Sequence, residues 1–276
     1  MTSATPRPSA QHLDLAGPTL IACDIDGTLL RTGHPVSAAV RSAVAQVLAA
    51  GQHLVLATGR SLVGALPVAV QLGLPDAWIV ASNGAVTAHL VGADYEVTDL
   101  HAIEPETVVR HAVAAVPGIL IATEIVGIGY RVNHPFPEGE LNGEQHQVPA
   151  LLDLWAESTP RLALHAPEAH TLVPALRELG LTAIATRPDW VDVTPPALSK
   201  ASALEKVRAA LGVQDDATAA LGDGENDLEM LAWATTSVAM GHAPDRVRAA
   251  ADRVTGTIDQ DGAATALLSL LGRAAS

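Results

Sequence analysis

Two carboxylates, Asp24 and Asp26, stand two positions apart where an apolar run ends, in the segment IACDIDGTLL. Alternation along a strand points both side chains to the same side. Two like charges at this spacing oppose each other's ionisation unless a cation neutralises them or a reaction uses them. The pair therefore predicts a cation site or acid–base chemistry at the end of the first strand.

Other apolar segments end in residues that suit the same chemistry. They supply Thr58 and Gly59 in ATGR, Asn83 in SNGA, and Asp223, Asn226 and Asp227 in GDGEND. Ligands of open α/β sheets lie beyond the carboxyl ends of the strands. We therefore expect these side chains to meet in one cleft.

Each motif also has a structural interpretation when it is taken alone. Thr58 could cap a helix, and the D-x-D spacing recurs at Asp259 and Asp261, where no apolar strand precedes it. A calcium-binding loop at GDGEND is excluded, because Leu228 stands at its glycine position and Ala234 at its bidentate glutamate position. The functional interpretation depends on all four motifs occurring in order.

The elements that would position these residues alternate between strand and helix. Strand-like segments at 19–23, HLVLATGR and DAWIVASNGA are separated by helical periodicity over 37–50 and 61–72, with Gly51 and Gly73 as stop signals. The carboxy-terminal third resumes this alternation after a helix that ends at Gly212. Near-continuous apolar strands of this kind predict an α/β fold with a doubly wound, Rossmann-like parallel sheet.

The chain divides into a core and an insert. We predict a loose tail over 1–17, a core domain over 18–85 and 195–276, and an α+β cap domain over 86–194. The insert carries two helix-like segments and several strand-like pieces. Its Pro- and Gly-rich stretch NHPFPEGELNGEQHQVP is predicted to be a loop.

Composition limits the partners. A formal net charge of −14 disfavours nucleic acid and anionic membranes, because both reward clustered Lys and Arg. No apolar stretch reaches the length of a membrane span, and the first residues lack the apolar region of a signal peptide. The single cysteine, Cys23, lies inside an apolar strand and is expected to be buried and inert. A cytoplasmic protein is expected, and the sequence makes no prediction of its oligomeric state.

In this order the motifs resemble those of the haloacid dehalogenase superfamily of phosphohydrolases. DIDGTLL is similar to its first motif, Thr58 to its second, Lys200 to its third and GDGENDLEML to its fourth. The insert position, SNGA and the tail from VAMGHAPDR onwards resemble the Cof-type subfamily IIB, with a type-C2 cap. The resemblance covers residues 19–270.

This resemblance implies hydrolysis of a small phosphorylated metabolite, a sugar phosphate in the first instance, with Mg²⁺ as cofactor. Asp24 would be the nucleophile, and Asp26 would protonate the leaving group and then activate water. The implied substrate contacts are Thr58, Gly59, Asn83 and Lys200. The implied metal ligands are Asp24, the Asp26 carbonyl and Asp223, with Asn226 and Asp227 as additional or outer ligands.

Lys200 is also singled out by composition. The chain has only two lysines, Lys200 and Lys206, beside 14 arginines. A compact ammonium where the chain re-enters the core can bridge a carboxylate and a phosphate oxygen. We expect Lys200→Ala to lose most turnover while the fold survives, and Lys206 to be solvated. For Arg60, the sequence favours a contact with the substrate and a structural contact equally.

Other activities of the same fold remain to be separated. Asp26 argues against dehalogenation, which needs no acid two residues after the nucleophile, and Ile25 replaces the lysine of ATP-driven pumps. A phosphomutase and a non-catalytic sugar-phosphate sensor stay open. His242 and Ala201 depart from the subfamily's usual Asn and Gly, but both lie outside the implied ligand set.

Overall fold

A computed structural model describes residues 18–271, so the predicted tail over 1–17 lies outside the described residues. The strands are β1 (Leu20–Cys23), β2 (His53–Ala57), β3 (Asp76–Ala81), β4 (Val86–Val91), β5 (Asp94–Leu100), β6 (Leu120–Ile125), β7 (Gly129–Val132), β8 (Glu144–Gln147), β9 (Leu162–His165), β10 (Thr182–Arg187), β11 (Trp190–Thr194), β12 (Thr218–Gly222), β13 (Thr236–Ala239) and β14 (Arg253–Val254). The helices are α1 (Ala38–Ala49), α2 (Leu62–Leu72), α3 (Glu106–Ala115), α4 (Val173–Glu178), α5 (Lys200–Leu211), α6 (Leu228–Trp233), α7 (Asp245–Ala250) and α8 (Gly262–Leu271).

The larger sheet has eight strands in the order β14-β13-β12-β1-β2-β3-β4-β5. Its strands from β14 to β3 are parallel, and helices cover both faces. In β1, Ile21 and Cys23 pack with α1, α2 and α8, whereas Leu20 and Ala22 pack with α5, α6 and α7. The predicted doubly wound α/β fold is confirmed, and Cys23 is a buried free thiol.

The helix ends follow the signals in the sequence. The Ser37 hydroxyl caps α1 by accepting from the Val40 amide, and Ser199 caps α5 by accepting from the Ser202 amide. The helices α2 and α5 end at Gly73 and Gly212, both with a left-handed φ of 68°. The cap at Ser199 fixes the start of α5, whose first residue is Lys200.

The strands β4 and β5, which lie inside the predicted cap range, belong to the larger sheet instead. They form an antiparallel hairpin that turns at Gly92, and β4 pairs with β3 along its whole length. Residues 86–100 therefore extend the core sheet, and we propose that the cap runs from 101 to 194. The stretch predicted as a loop also contains β8, which pairs with β7.

The smaller sheet has six strands in the order β10-β11-β9-β6-β7-β8. Alternation divides its residues between two faces. Val191 and Val193 of β11 pack with α3 and α4, whereas Trp190 and Asp192 point to the opposite face with Tyr130 of β7. This second face lines a cleft between the cap and the carboxyl ends of the core strands.

Candidate active site

Neighbouring parallel strands bring the first acids together. The strand β1 lies between β12 and β2, and its last residue, Cys23, is level with the ends of both neighbours. Asp24, Thr58 and Asp223 therefore leave the sheet side by side. The turn after Asp24 needs Gly27, which has a φ of +83° and whose added Cβ would collide with the Asp223 carboxylate.

Lys200 lies at the centre of this group. Its Nζ donates to Asp24 Oδ1 and to Asp227 Oδ1, at 2.6 Å in each case, and its side chain is fully buried. Burial lowers the pKa of Lys200, but the carboxylates of Asp227 and Asp24 outweigh that effect and raise it above its usual value. The ammonium is therefore charged, and the only other lysine, Lys206, is an exposed partner of Asp99.

The acids outnumber this ammonium. Burial raises the pKa of Asp24, and although Lys200 opposes that rise, the charges of Asp227 and Asp223 add to it. Burial, followed by the charge of Asp227, raises the pKa of Asp223 to about 6. Because several buried acids share one ammonium, the site is short of positive charge.

The oxygens that remain open fit a hard divalent cation. Asp24, Asp223 and Asp227 each offer a carboxylate oxygen, and these oxygens lie within 4.8 Å of one another. Both carboxylate oxygens of Asp227 already accept hydrogen bonds, Oδ1 from Lys200 and Oδ2 from the amides of Asp223 and Gly224. Asp223 Oδ1 accepts from the Thr28 hydroxyl. Asp223 Oδ2, which lies 3.7 Å from His242 Nε2, and one oxygen of Asp24 are left for a metal ion.

The loop after β2 lies against the same group. Thr58 is buried and its hydroxyl accepts from the Arg60 amide at 3.1 Å, so its own proton is free for a ligand. The absence of a side chain at Gly59 brings the loop close to Asn83, whose oxygen would lie 3.3 Å from an added Cβ. Thr58 and Gly59 both line the cleft, as the sequence predicts for substrate contacts.

Asn83 lies behind the cleft wall rather than in it. It is 2% exposed, has a left-handed φ of 54°, and its Oδ1 accepts from Asn226 Nδ2 at 3.0 Å. Asn226 lines the cleft, whereas Asn83 does not. The structure thus gives Asn83 a positioning contact to Asn226, and the substrate contact expected from the sequence stays a prediction.

Asp26 is held by Arg60. The Nε and Nη2 atoms of Arg60 donate to the two Asp26 oxygens at 2.6 and 2.7 Å, and the Thr32 hydroxyl donates at 2.7 Å. Burial raises the pKa of Asp26, but these bonds and the Arg60 charge outweigh it and hold the pKa below its usual value. Arg60 therefore makes a structural contact to the predicted acid, which is one of the two alternatives from the sequence.

The acids open into a cleft of about 1020 Å³ between core and cap. Of the cap residues, Tyr130 and Arg187 line it, whereas Arg131, His134 and His165 do not. Arg161 and Asp192 line it as well and were not indicated by the sequence patterns. The sequence feature that could have identified Asp192 is its position as the one charged residue in the strand segment WVDVT.

The structure combines a doubly wound α/β core, with acids at its parallel strand ends, and a cap that lines the same cleft. Residues 21–115 and 168–267 match the family model described as haloacid dehalogenase-like hydrolase. The chain belongs to this family. Enzymes of the family generally use a divalent metal ion, for which the acid cluster is suited.

Similar proteins agree with this membership. The 5-amino-6-(5-phospho-D-ribitylamino)uracil phosphatase YitU of Bacillus subtilis is 29% identical over 262 residues, which cover 90% of this chain and 95% of that one. The phosphoglycolate phosphatase of Natronomonas pharaonis is 30% identical over 247 residues, with 90% and 95% covered. A solved HAD subclass IIB sugar phosphatase superposes with a TM-score of 0.77 at 25% identity, covering 92% of this chain and 99% of that one.

One longer relative also matches. The chloroplastic endoribonuclease YBEY of Arabidopsis thaliana is 26% identical over 90% of this chain, and this chain spans 45% of that protein. The family, the fold class and the enzyme class expected from the sequence are confirmed: the chain is a phosphatase of the haloacid dehalogenase type. No helix among residues 18–271 is long and apolar enough to cross a bilayer.

Proposed function

We propose that this chain is a Mg²⁺-dependent phosphohydrolase that cleaves small phosphate monoesters, sugar phosphates in the first instance, through a phosphorylated Asp24. The observation that carries the proposal is the buried Lys200 ammonium, 2.6 Å from both Asp24 and Asp227, with Asp223 as a third acid beside them. One ammonium offsets these acids only in part. The remaining negative charge suits a hard divalent cation.

Asp24 is the proposed nucleophile. Lys200 orients the carboxylate through Oδ1, and Asp24 Oδ2 accepts no hydrogen bond from residues 18–271. A carboxylate that attacks phosphorus divides a very slow hydrolysis into two faster steps. In the first step the Asp24 oxygen bonds to phosphorus and the ester oxygen leaves; in the second, water releases phosphate and restores Asp24.

Asp24, Asp223 and the Asp26 carbonyl are the proposed Mg²⁺ ligands. The main-chain hydrogen bonds of the turn after Asp24 go to the carbonyls of Ile25 and Leu30, which leaves the Asp26 carbonyl open. When bound, the ion would neutralise phosphoryl charge and orient the group. Asp227 would not bind the ion directly, because its oxygens accept hydrogen bonds from Lys200 and the loop amides.

Thr58, Gly59 and Lys200 are the proposed phosphoryl contacts. The Thr58 proton is free to donate, because its oxygen accepts from the Arg60 amide. The Gly59 amide donates to no other group in the described range, so it is available as a second donor. Donors fixed before the substrate arrives need no reorganisation as charge develops on the phosphoryl oxygens.

Asp26 is the proposed general acid and base. It would donate a proton to the leaving oxygen and later take one from the attacking water. The Arg60 contacts favour its ionised form, so Arg60 has to release at least one of its bonds before Asp26 can act as an acid. The proposed catalytic set is therefore Asp24, Asp26, Thr58 and Lys200.

A panel of phosphate esters with Mg²⁺, scored by released phosphate, tests this function. We expect turnover in the native enzyme, loss of turnover in EDTA or in Asp24→Asn, and no change in Asp259→Asn. Asp259 is a matched control, because it has the same D-x-D spacing but an exposed side chain. Turnover that persists in Asp24→Asn would overturn the proposal, as would phosphate transfer to a second sugar in place of release.

A further inference from the structure

A buried polar cluster lies on the cap side of the cleft. Arg161 Nη1 donates to Asp192 Oδ1 at 3.2 Å, and Nη2 donates to the Tyr130 hydroxyl. The Nε atom faces Glu124 Oε2 at 3.5 Å. Glu124, Tyr130 and Asp192 lie in strands of the smaller sheet, and Arg161 directly precedes β9; each of the four residues is at most 5% exposed. The cluster therefore holds two acids for one guanidinium.

The cluster contacts the core at the proposed phosphate loop. Arg161 Nη1 also donates to the Gly59 carbonyl at 2.7 Å, and the Ser82 hydroxyl donates to Glu124 Oε2 at 2.6 Å. A single guanidinium nitrogen thus joins Asp192 to the residue after Thr58. A substrate whose phosphoryl group lies against Thr58 would place the first atoms of its leaving group near Asp192.

Asp192 offers this position an unused acceptor. Its Oδ1 accepts from Arg161 and from the Trp190 indole at 3.1 Å. Its Oδ2 accepts no hydrogen bond from residues 18–271, and Asp192 lines the cleft. Burial raises the pKa of Asp192, and the Arg161 charge opposes that rise. A half-used buried carboxylate binds hydrogen-bond donors and repels anions.

We propose that Asp192 is a specificity-determining residue, which accepts a hydrogen bond from a hydroxyl on the leaving group and disfavours leaving groups that carry a second anion. This inference rests on the proposed function. It narrows the substrate to a neutral, hydroxyl-bearing phosphate ester. A carboxylate close to the phosphate, as in phosphoglycolate, would face a cluster in which two acids share one guanidinium.

Three esters at neutral pH with Mg²⁺ test this assignment: sorbitol 6-phosphate, n-hexyl phosphate with the same six-carbon chain, and phosphoglycolate. We expect the native enzyme to prefer sorbitol 6-phosphate to hexyl phosphate by about tenfold or more, as for a hydrogen bond to a charged group. Asp192→Asn should remove most of that preference and raise kcat/KM for phosphoglycolate. Hexyl phosphate should change by less than about threefold.

Asp192→Asn keeps an acceptor for Arg161 and Trp190 and replaces only the open oxygen with a donor. Glu157→Gln is the matched control, because Glu157 is an exposed cap acid that pairs with Arg131, and neither residue lines the cleft. It should leave all three kcat/KM values unchanged. Equal losses for all three esters in Asp192→Asn, or no change in their ratios, would overturn the assignment.

Two further measurements separate the possible failures. If Asp192→Asn does not fold, the assignment is tested with the native enzyme alone. Equal kcat/KM values for sorbitol 6-phosphate and hexyl phosphate would then overturn it. Turnover of p-nitrophenyl phosphate tests the proposed function without hydroxyls. If no ester is hydrolysed, calorimetric dissociation constants for the same esters decide, and they should favour sorbitol 6-phosphate in the native protein but not in Asp192→Asn.

Discussion

Removal of the buried ammonium by Lys200→Met should affect stability and catalysis together. The substitution keeps an unbranched side chain in the site but leaves Asp24 and Asp227 without the Nζ that lies 2.6 Å from each. Breaking a buried ion pair from one side costs about 3–5 kcal/mol, because a desolvated charge is left uncompensated. We therefore expect the thermal midpoint in EDTA to fall by roughly 10 °C.

The two lysines of the chain provide an internal control. Lys206→Met removes the same charge from an exposed pair with Asp99, a change worth less than about 1 kcal/mol. Turnover of p-nitrophenyl phosphate should fall about 10²–10³-fold in Lys200→Met, as for loss of one fixed donor, and stay unchanged in Lys206→Met. Sequence alone suggested that the fold tolerates loss of Lys200, and its full burial is the reason to expect a stability cost.

Magnesium distinguishes a charge effect from a packing effect. Because the proposed ion would lie against the same acids, saturating Mg²⁺ should restore more stability to Lys200→Met than it adds to the native protein. Differential scanning calorimetry with and without Mg²⁺ measures both effects. The charge account is refuted if Lys200→Met is as stable as the native protein in EDTA and keeps native turnover.

Three other changes have defined outcomes. The pKa of Asp223 is raised to about 6, so the stability linked to this group is complete below its unfolded pKa and is lost as the pH rises through about 6. In EDTA at pH 7, Asp223→Asn should therefore be more stable than the native protein by about 2 kcal/mol in urea unfolding, and its stability should depend less on pH. Asp24→Asn should lower kcat by more than about 10⁴-fold while the metal-free protein becomes more stable, and a less stable variant would contradict the excess of acids. Arg60→Met should raise the pKa of Asp26 and move the basic limb of the kcat/KM profile for hexyl phosphate to higher pH, whereas an unmoved limb would show that Arg60 does not control this acid.

The residues at the strand ends were predictable because local pattern and strand direction determine them. Asp24, Thr58 and Asp223 each follow an apolar strand, and parallel strands bring their carboxyl ends to one edge. Lys200 could be identified from the rarity of lysine in the chain, and the helix expected to end at Gly212 begins at Lys200 itself.

The cap residues could not be predicted in the same way. Arg161 contacts the Gly59 carbonyl 102 positions away, and no local pattern indicates a pairing over that distance. The predicted cap range includes the hairpin of β4 and β5, because no local pattern shows which sheet a strand joins. Its pairing to β3 makes it the outer edge of the core sheet.

The most direct test of the central claim is to find the phosphoryl group on Asp24. Asp26→Asn should slow the second step, which needs a base for water, while p-nitrophenyl phosphate needs little help from an acid in the first. When Asp26→Asn is quenched with acid during turnover with Mg²⁺ and its peptides are analysed by mass spectrometry, the phosphate should be found on Asp24. Turnover of this variant with no phosphate on Asp24, or with phosphate on another residue, would contradict the account.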